Sequence, residues 1–341
     1  MARKSVNVAV VGATGAVGDE FLRLFELRKY PIADLKLLAS ERSAGKKVKY
    51  LGKEYTVEKL TADSFKGVEH AFFSAGGSIS KEFAPAAAKA GAIIIDNTSA
   101  FRYEKEIPLV VPEINPEDAF KFGARRIVAN PNCTTIVALM PTFPLHKAFG
   151  LKRAVMSSYQ AISGAGAQAM AELEQQTRDW AAGRPMTIKV APKQIAFNVI
   201  PRIDVIQDNG YTKEEMKFLW EGQKIMHHDS LRATATCVRV PVLRSHSVSL
   251  NLEFEKPVTA EQAREILRKA PGVIVQDDPR NEIYPIPLER TMKDDVGVGR
   301  IRQDISVPDN KGLCLWAVGD QLAKGAALNA IQIGELLLTK P

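Results

Sequence analysis

The sequence predicts an α/β protein: an amino-terminal doubly wound (Rossmann-type) parallel sheet, then an α+β unit with a largely antiparallel sheet. Three observations predict it. An apolar strand, Val6–Val11, runs directly into a glycine-rich loop and a helix. Strand-like and helical runs then alternate as far as Ala129. After Cys133 the pattern changes to alternating apolar and polar positions, which marks a sheet with one buried face. At 341 residues the chain exceeds one average domain, and two units, each with its own core, are expected.

Composition narrows the function. Hydrophobic residues make up 45% and charged residues 25%. No apolar run approaches the roughly 18–20 residues that span a membrane. Arg3 and Lys4 before the first apolar run imitate a signal peptide. Asn7 interrupts that run and a glycine loop ends it, so a first strand is expected instead. Three cysteines, at 133, 237 and 314, are too scattered for a disulfide framework or a zinc site. A reducing cytoplasm and no metal are expected. Net charge is +7, but the basic residues are dispersed and no Lys/Arg block is interleaved with aromatics. Nucleic acid is disfavoured; small anionic ligands account for the excess.

In the first unit, Gly12, Gly15 and Gly18 follow the opening strand, and a helix is expected over 20–27. Strand, glycine loop and helix form the corner at which a dinucleotide pyrophosphate meets a helix N-terminus. A second strand, 35–39, runs into Ser40-Glu41-Arg42-Ser43. An acidic residue at this end selects NAD, and a basic one accommodates the extra phosphate of NADP. Ser40, Arg42 and Ser43 offer hydroxyls and a guanidinium to a 2′-phosphate, so NADP is expected despite Glu41. Strands at His70–Phe73 and Ile93–Asp96 flank a helix over 81–90. Arg102 follows the second of these, on the side of the strand ends where ligands bind.

Ile127–Ala129 ends in the turn Asn130-Pro131-Asn132, because Pro131 disfavours helix in the residue before it. Helical spacing then resumes at Ile136, Val137, Leu139 and Met140, which puts Cys133 in the first turn of a helix. An anion is stabilised there, so the position favours a reactive thiolate. Beyond it are expected a strand at 154–161, the run Ser163-Gly164-Ala165-Gly166, and a helix at 167–182. A further helix opens with Thr212 as N-cap and Glu215 at the capping-box position. Alternating strands at 233–240 and 247–254, a helix at 260–269 and an apolar helix ending near Leu338 complete the chain.

A nicotinamide fold with a thiol at a helix start points to a particular chemistry. A thiolate attacks a carbonyl, the adduct gives up hydride, and an acceptor releases the thioester. Cys-Thr-Thr is similar to the glyceraldehyde-3-phosphate dehydrogenase site, but here the downstream polar candidate is Gln160 and the histidine candidate is His246. Over essentially its whole length the chain resembles the aspartate-β-semialdehyde dehydrogenase family. The resemblance rests on GATGAVG at 12–18, SERSAGK at 40–46, NTSAFR at 97–102, PNCTT at 131–135, SYQAISGAG at 158–166, RVPVLRSHS at 239–247 and GDQLAKGAALN at 319–329.

The resemblance implies Cys133 as nucleophile, Asn132 supporting the acyl oxygen, Gln160 orienting the thioacyl group and His246 as acid/base. Arg239 would clamp the substrate α-carboxylate, Glu214 would face its ammonium, and Arg102 with Lys217 would form the phosphate site. Gly12, Thr14, Gly15, Ala16 and Val17 would cradle the pyrophosphate, Ser40, Arg42 and Ser43 the 2′-phosphate, and Ser163, Gly164 and Gly325 the nicotinamide. Residues 1–132, with the carboxyl-terminal helix 320–341 packing back, would be the NADP-binding domain. Residues 133–319 would be the catalytic and dimerisation domain of a homodimer or a dimer of dimers. The implied reaction is reversible reductive dephosphorylation of aspartyl-4-phosphate. N-acetyl-γ-glutamyl-phosphate reductase shares the thiol logic but has no substrate ammonium to meet Glu214. A non-catalytic structural or regulatory relative is the alternative from another class, and it would not need Cys133, Gln160, Arg239 and His246 together.

Overall fold

The computed structural model describes residues 5–339. Arg3, Lys4 and the last two positions of segment 320–341 lie outside them. The chain divides into two compact units, Met1–Asn132 with Ala326–Pro341, and Cys133–Gly325.

The first unit begins with β1 (Val6–Val11), α1 (Ala16–Arg28) and β2 (Ile32–Ala39), followed by the hairpin β3 (Lys47–Tyr50) and β4 (Lys53–Thr56). Then come β5 (Glu58–Lys59), β6 (His70–Phe73), α2 (Gly77–Lys89), β7 (Ile93–Asp96) and β8 (Ile127–Ala129). Its main sheet has the order β5-β2-β1-β6-β7-β8, and every neighbouring pair is parallel. Strands covered on both faces need continuous apolar runs, and β6 accordingly buries all four of its residues.

Both helices start earlier than the apolar spacing indicates. α1 begins at Ala16 with Gly15 as its N-cap. Its first turn lies tight on the loop, since a Cβ on Gly18 would stand 2.5 Å from the Gly12 carbonyl oxygen. Glycine, not hydrophobic periodicity, makes this turn possible. α2 begins at Gly77, and its Ser80 hydroxyl donates to Asp96 at 2.8 Å.

The second unit contains α3 (Cys133–Phe149), β9 (Leu151–Gln160), α4 (Ala167–Ala181), α5 (Lys213–Met226), β10 (Arg232–Arg239) and β11 (His246–Phe254). It continues with α6 (Ala260–Arg268), β12 (Val273–Val275), α7 (Pro287–Arg290), β13 (Val296–Gln303) and β14 (Gly312–Gly319). The sheet order is β10-β9-β11-β14-β13-β12. The three central pairings are antiparallel, but β10 runs parallel to β9 and β12 parallel to β13. The sheet is therefore mixed. Alternation reports a buried face but not strand direction; direction follows from the connection, and α4 and α5 supply the long crossover that a parallel pair requires. α3, α5 and α6 pack on this sheet. Thr212 caps α5 in the expected reciprocal box with Glu215.

The last helix, α8 (Leu328–Leu337), belongs to the first unit. Arg28 holds its Glu335 through two bonds of 3.0 and 2.7 Å. Asn329 donates to the Val110 carbonyl and to Asn130 Oδ1, which ties the returning segment to the corner after β8.

Candidate active site

In the first unit, Gly12 has φ of +91°, and a Cβ there would meet the Ser74 carbonyl oxygen at 2.8 Å. Only glycine fits. Thr14 lies on the same loop, and Gly15, Ala16 and Val17 follow it into the first turn of α1. No side chain caps that helix, so its amide donors are placed to meet a pyrophosphate. The residues fit a nicotinamide dinucleotide. At the end of β2, Thr14 Oγ1 stands 3.2 Å from Ser43 Oγ, which joins the two loops expected to hold the cofactor. Ser40 and Arg42 are exposed. Glu41 pairs with Lys59 at 3.0 Å, so its charge is partly offset at the surface.

Asp96 is buried at the end of β7 and accepts from Ser80, the Thr98 hydroxyl and the Thr98 amide. It fixes the loop that carries Arg102, whose Nη2 donates to the Asn97 carbonyl at 2.7 Å. Burial pushes the Asp96 carboxyl up, against those hydrogen bonds and the nearby Arg102. Asn132 is buried at the corner where the chain leaves this unit.

The second unit gathers the remaining expected residues at one end of its sheet. Cys133 is the first residue of α3. Gln160 and Arg239 end the parallel strands β9 and β10 in register, and His246 begins the antiparallel β11. The opposed direction of β11 brings its first residue beside the last residues of β9. Gly325 packs so closely on the candidate thiol that a Cβ there would lie 2.8 Å from Cys133 Cβ.

Glu214 and Lys217 face this end from α5. Glu214 accepts from Gln160 Nε2 at 3.1 Å and from Thr134 Oγ1 at 3.5 Å, and its other oxygen meets Lys217 Nζ at 2.7 Å. Thr134 Oγ1 is also 3.9 Å from Cys133 Sγ. One hydroxyl thus stands between the thiol and the acidic cluster. Arg239 donates from Nη1 to the Ala161 carbonyl at 2.7 Å. Burial lowers its affinity for its proton, while Glu214 and the Cys133 and Cys237 thiols oppose that shift. Arg239 also lines a largely apolar cavity of about 270 Å³ with Ile162, Pro192, Ile200 and Ile203. Ser163 and Gly164 lie on the turn after β9.

Sequence reasoning missed three participants and left a fourth, Gln321, out of the candidate site. Thr134 bridges Cys133 and Glu214. Asp204 meets Lys217 Nζ at 3.2 Å. Ser158 accepts from Gln160 Nε2 at 3.2 Å and lies beside Cys237, whose thiol burial pushes up to about 12. Gln321 accepts the Ser245 amide at 2.7 Å and donates to Ser163. Thr134 lies next to Cys133 in sequence and Ser158 two residues before Gln160; Asp204 and the partners of Gln321 meet the rest only through the fold.

Both units have counterparts among known proteins. Residues 7–122 match the family model "Semialdehyde dehydrogenase, NAD binding domain" and residues 143–324 match "Semialdehyde dehydrogenase, dimerisation domain". The chain is 52% identical to an aspartate-semialdehyde dehydrogenase of Aquifex aeolicus, over 97% of this chain and 98% of the relative. It is 48% identical to that of Bacillus subtilis, over 98% of each. The crystal structure of aspartate semialdehyde dehydrogenase II from Vibrio cholerae superposes with a TM-score of 0.95 at 45% identity, covering 98% of both chains. With a glycine cradle in one unit and a thiol-bearing helix start in the other, both matched along nearly their full length, the chain belongs to the aspartate-semialdehyde dehydrogenase family.

Proposed function

We propose that the protein catalyses reversible, NADPH-dependent reductive dephosphorylation of L-aspartyl-4-phosphate to L-aspartate-4-semialdehyde, on the route to lysine, threonine and methionine. The observation that carries this reading is the buried Glu214, one hydroxyl away from the Cys133 thiol and on the same unit as Arg239. A free amino acid needs an anion for its ammonium and a fork of donors for its α-carboxylate. An N-acylated substrate would bring no ammonium to Glu214.

In the oxidative direction the Cys133 thiolate adds to the aldehyde carbon, with Asn132 and Gln160 orienting the adduct and His246 beside it. The bound nicotinamide supplies the hydride acceptor. Phosphate then attacks the resulting thioester, the acyl–sulfur bond breaks, and the thiolate leaves with its electron pair. Arg102 and Lys217 are assigned to that phosphate. Ser40, Arg42 and Ser43, with Glu41 drawn to Lys59, support NADP over NAD.

The matched dimerisation domain supports a homodimer. On the second sheet Tyr159, which is 40% exposed, packs against Trp316 with ring centroids 5.3 Å apart, and we assign this surface to the partner subunit. Among the described residues no helix is long and apolar enough to cross a membrane. A cytoplasmic location accords with three free cysteines.

The deciding experiment is phosphate-dependent NADP⁺ reduction with aspartate semialdehyde, run beside NAD⁺ and beside N-acetylglutamate semialdehyde. A signal that requires phosphate and prefers NADP⁺ supports the whole reading. Activity only with the acetylated aldehyde would remove the role given to Glu214.

A further inference from the structure

Between α4 and α5 the chain runs from residue 182 to residue 212 without a helix or a strand. An irregular stretch this long in a compact domain is characteristic of functional loops, and its buried backbone groups still need partners. Two buried side chains one turn apart on α4, Glu172 and Gln176, supply them. Glu172 Oε2 accepts the amides of Lys189 and Val190, both at 2.6 Å, and its Oε1 accepts that of Ala191 at 3.1 Å. Gln176 Oε1 accepts the amides of Ile195 and Ala196 at 3.1 and 3.0 Å, and its Nε2 donates to the Thr187 carbonyl at 2.9 Å. Residues 187–196 thus form a strap tied to α4 through its own backbone. Three consecutive amides make a nest for an anion, and here the protein supplies the anion. Gln176 Nε2, at 3.5 Å, is a further donor to Glu172. A carboxylate suits this set because both its oxygens accept, whereas a carboxamide would turn its NH₂ towards other N–H groups.

The same stretch of chain reaches the candidate site. The Ile200 amide donates to the Arg239 carbonyl at 2.9 Å, and the Arg239 amide returns a bond to the Ile200 carbonyl at 2.8 Å. Four residues on, Asp204 meets Lys217 Nζ at 3.2 Å. Val190, Ala191 and Pro192 line the cavity of about 270 Å³ that Arg239 also lines, and Glu172 does not. Two of the three amides that Glu172 holds therefore belong to residues of that cavity wall.

We infer that Glu172, with Gln176, is a positioning residue for substrate binding: from α4 it holds the 187–196 strap in place as the wall of the cavity that Arg239 lines. A wall fixed in advance spares the substrate the cost of ordering it. With the anchor gone, binding itself must order the strap. The loss then falls on KM, while the bound complex, once formed, turns over at nearly the original rate. The effect on turnover rests on the assignment of Arg239 to the substrate α-carboxylate; the anchoring of the strap does not.

The test compares the full-length protein with Glu172→Gln by hydrogen–deuterium exchange and by steady-state kinetics. Peptides covering 187–196 should exchange about tenfold faster in the variant, with β9, β10 and β11 unchanged. KM for aspartate semialdehyde should rise about tenfold, with kcat within about twofold of wild type. The rate of Cys133 alkylation by iodoacetamide should not move. Gln176→Met, close in volume but without hydrogen-bonding groups, gives a second route and should shift exchange and KM in the same direction. Glu174→Gln, on the exposed side of α4, should change neither. Unaltered exchange at 187–196 in both anchor variants would overturn the anchoring. Faster exchange with an unmoved KM, or a fall in kcat alone, would overturn the link to substrate. Absence of wild-type turnover of aspartate semialdehyde would instead sink the substrate reading, with exchange still deciding the anchoring.

Discussion

Glu214 and Lys217 stand one turn apart on α5 and meet at 2.7 Å, with only 7% and 10% of their side chains exposed. At this spacing an exposed pair adds a few tenths of a kcal/mol. A buried pair behaves differently, because removing one partner strands the other charge and costs about 3–5 kcal/mol. Lys217→Met should therefore lower the free energy of denaturant unfolding by about that much. Combining it with Glu214→Gln should restore most of the stability and none of the turnover. A double variant as unstable as the single one would show that the pair does not act as a unit.

Cys133→Ala should abolish turnover while leaving NADPH affinity unchanged, since the cradle proposed for the dinucleotide runs from Gly12 to Val17 and the loop after β2. Titration of NADPH fluorescence checks it. Loss of binding together with turnover would mean that the thiol holds the fold, not only the substrate.

Arg239→Lys should chiefly raise KM for aspartate semialdehyde, because an ammonium cannot reproduce the two-pronged donor geometry of a guanidinium. The variant also loses the bond from Nη1 to the Ala161 carbonyl, so a modest fall in kcat is expected beside it. An unchanged KM refutes the α-carboxylate assignment.

His70 gives a prediction about pH and stability in the first unit. It is buried, it meets Tyr30 Oη through Nδ1 at 2.6 Å, and burial lowers its pKa from 6.5 to about 4. Below pH 6.5 the unfolded chain binds a proton that the folded chain refuses, so unfolding becomes easier as pH falls from 6.5 towards 4. Above pH 6.5 the contribution is fully present. His70→Gln should flatten the slope of stability in that window, measured by urea unfolding at several pH values. An identical slope would assign the acid sensitivity to other groups.

Much of the site was legible before the fold. The turn at Asn130-Pro131-Asn132 and the helical spacing after it placed Cys133 at the start of α3, where the structure has it. The glycine loop after β1 and the capping box at Thr212 were read from local chemistry alone. The starts of α1 and α2 were not, because both helices extend beyond their apolar spacing, α1 through the close packing of Gly18 on the loop. The direction of β10 was not legible either, since alternation is identical in parallel and antiparallel strands.

The sequence by itself determined the two-unit α/β plan, the dinucleotide corner, the thiol at a helix start and the set of polar residues to consider. These rest on periodicity, turn chemistry and short spacings, which act between near neighbours. Only the tertiary structure decided that Glu214 and Lys217 lose their water together, that Thr134 stands between the thiol and the carboxylate, and that the Ala161 amide meets Nδ1 of His246. Those outcomes depend on groups up to 85 positions apart meeting in a dry interior. There an unmatched donor or charge is costly, and no local pattern encodes which partner will arrive.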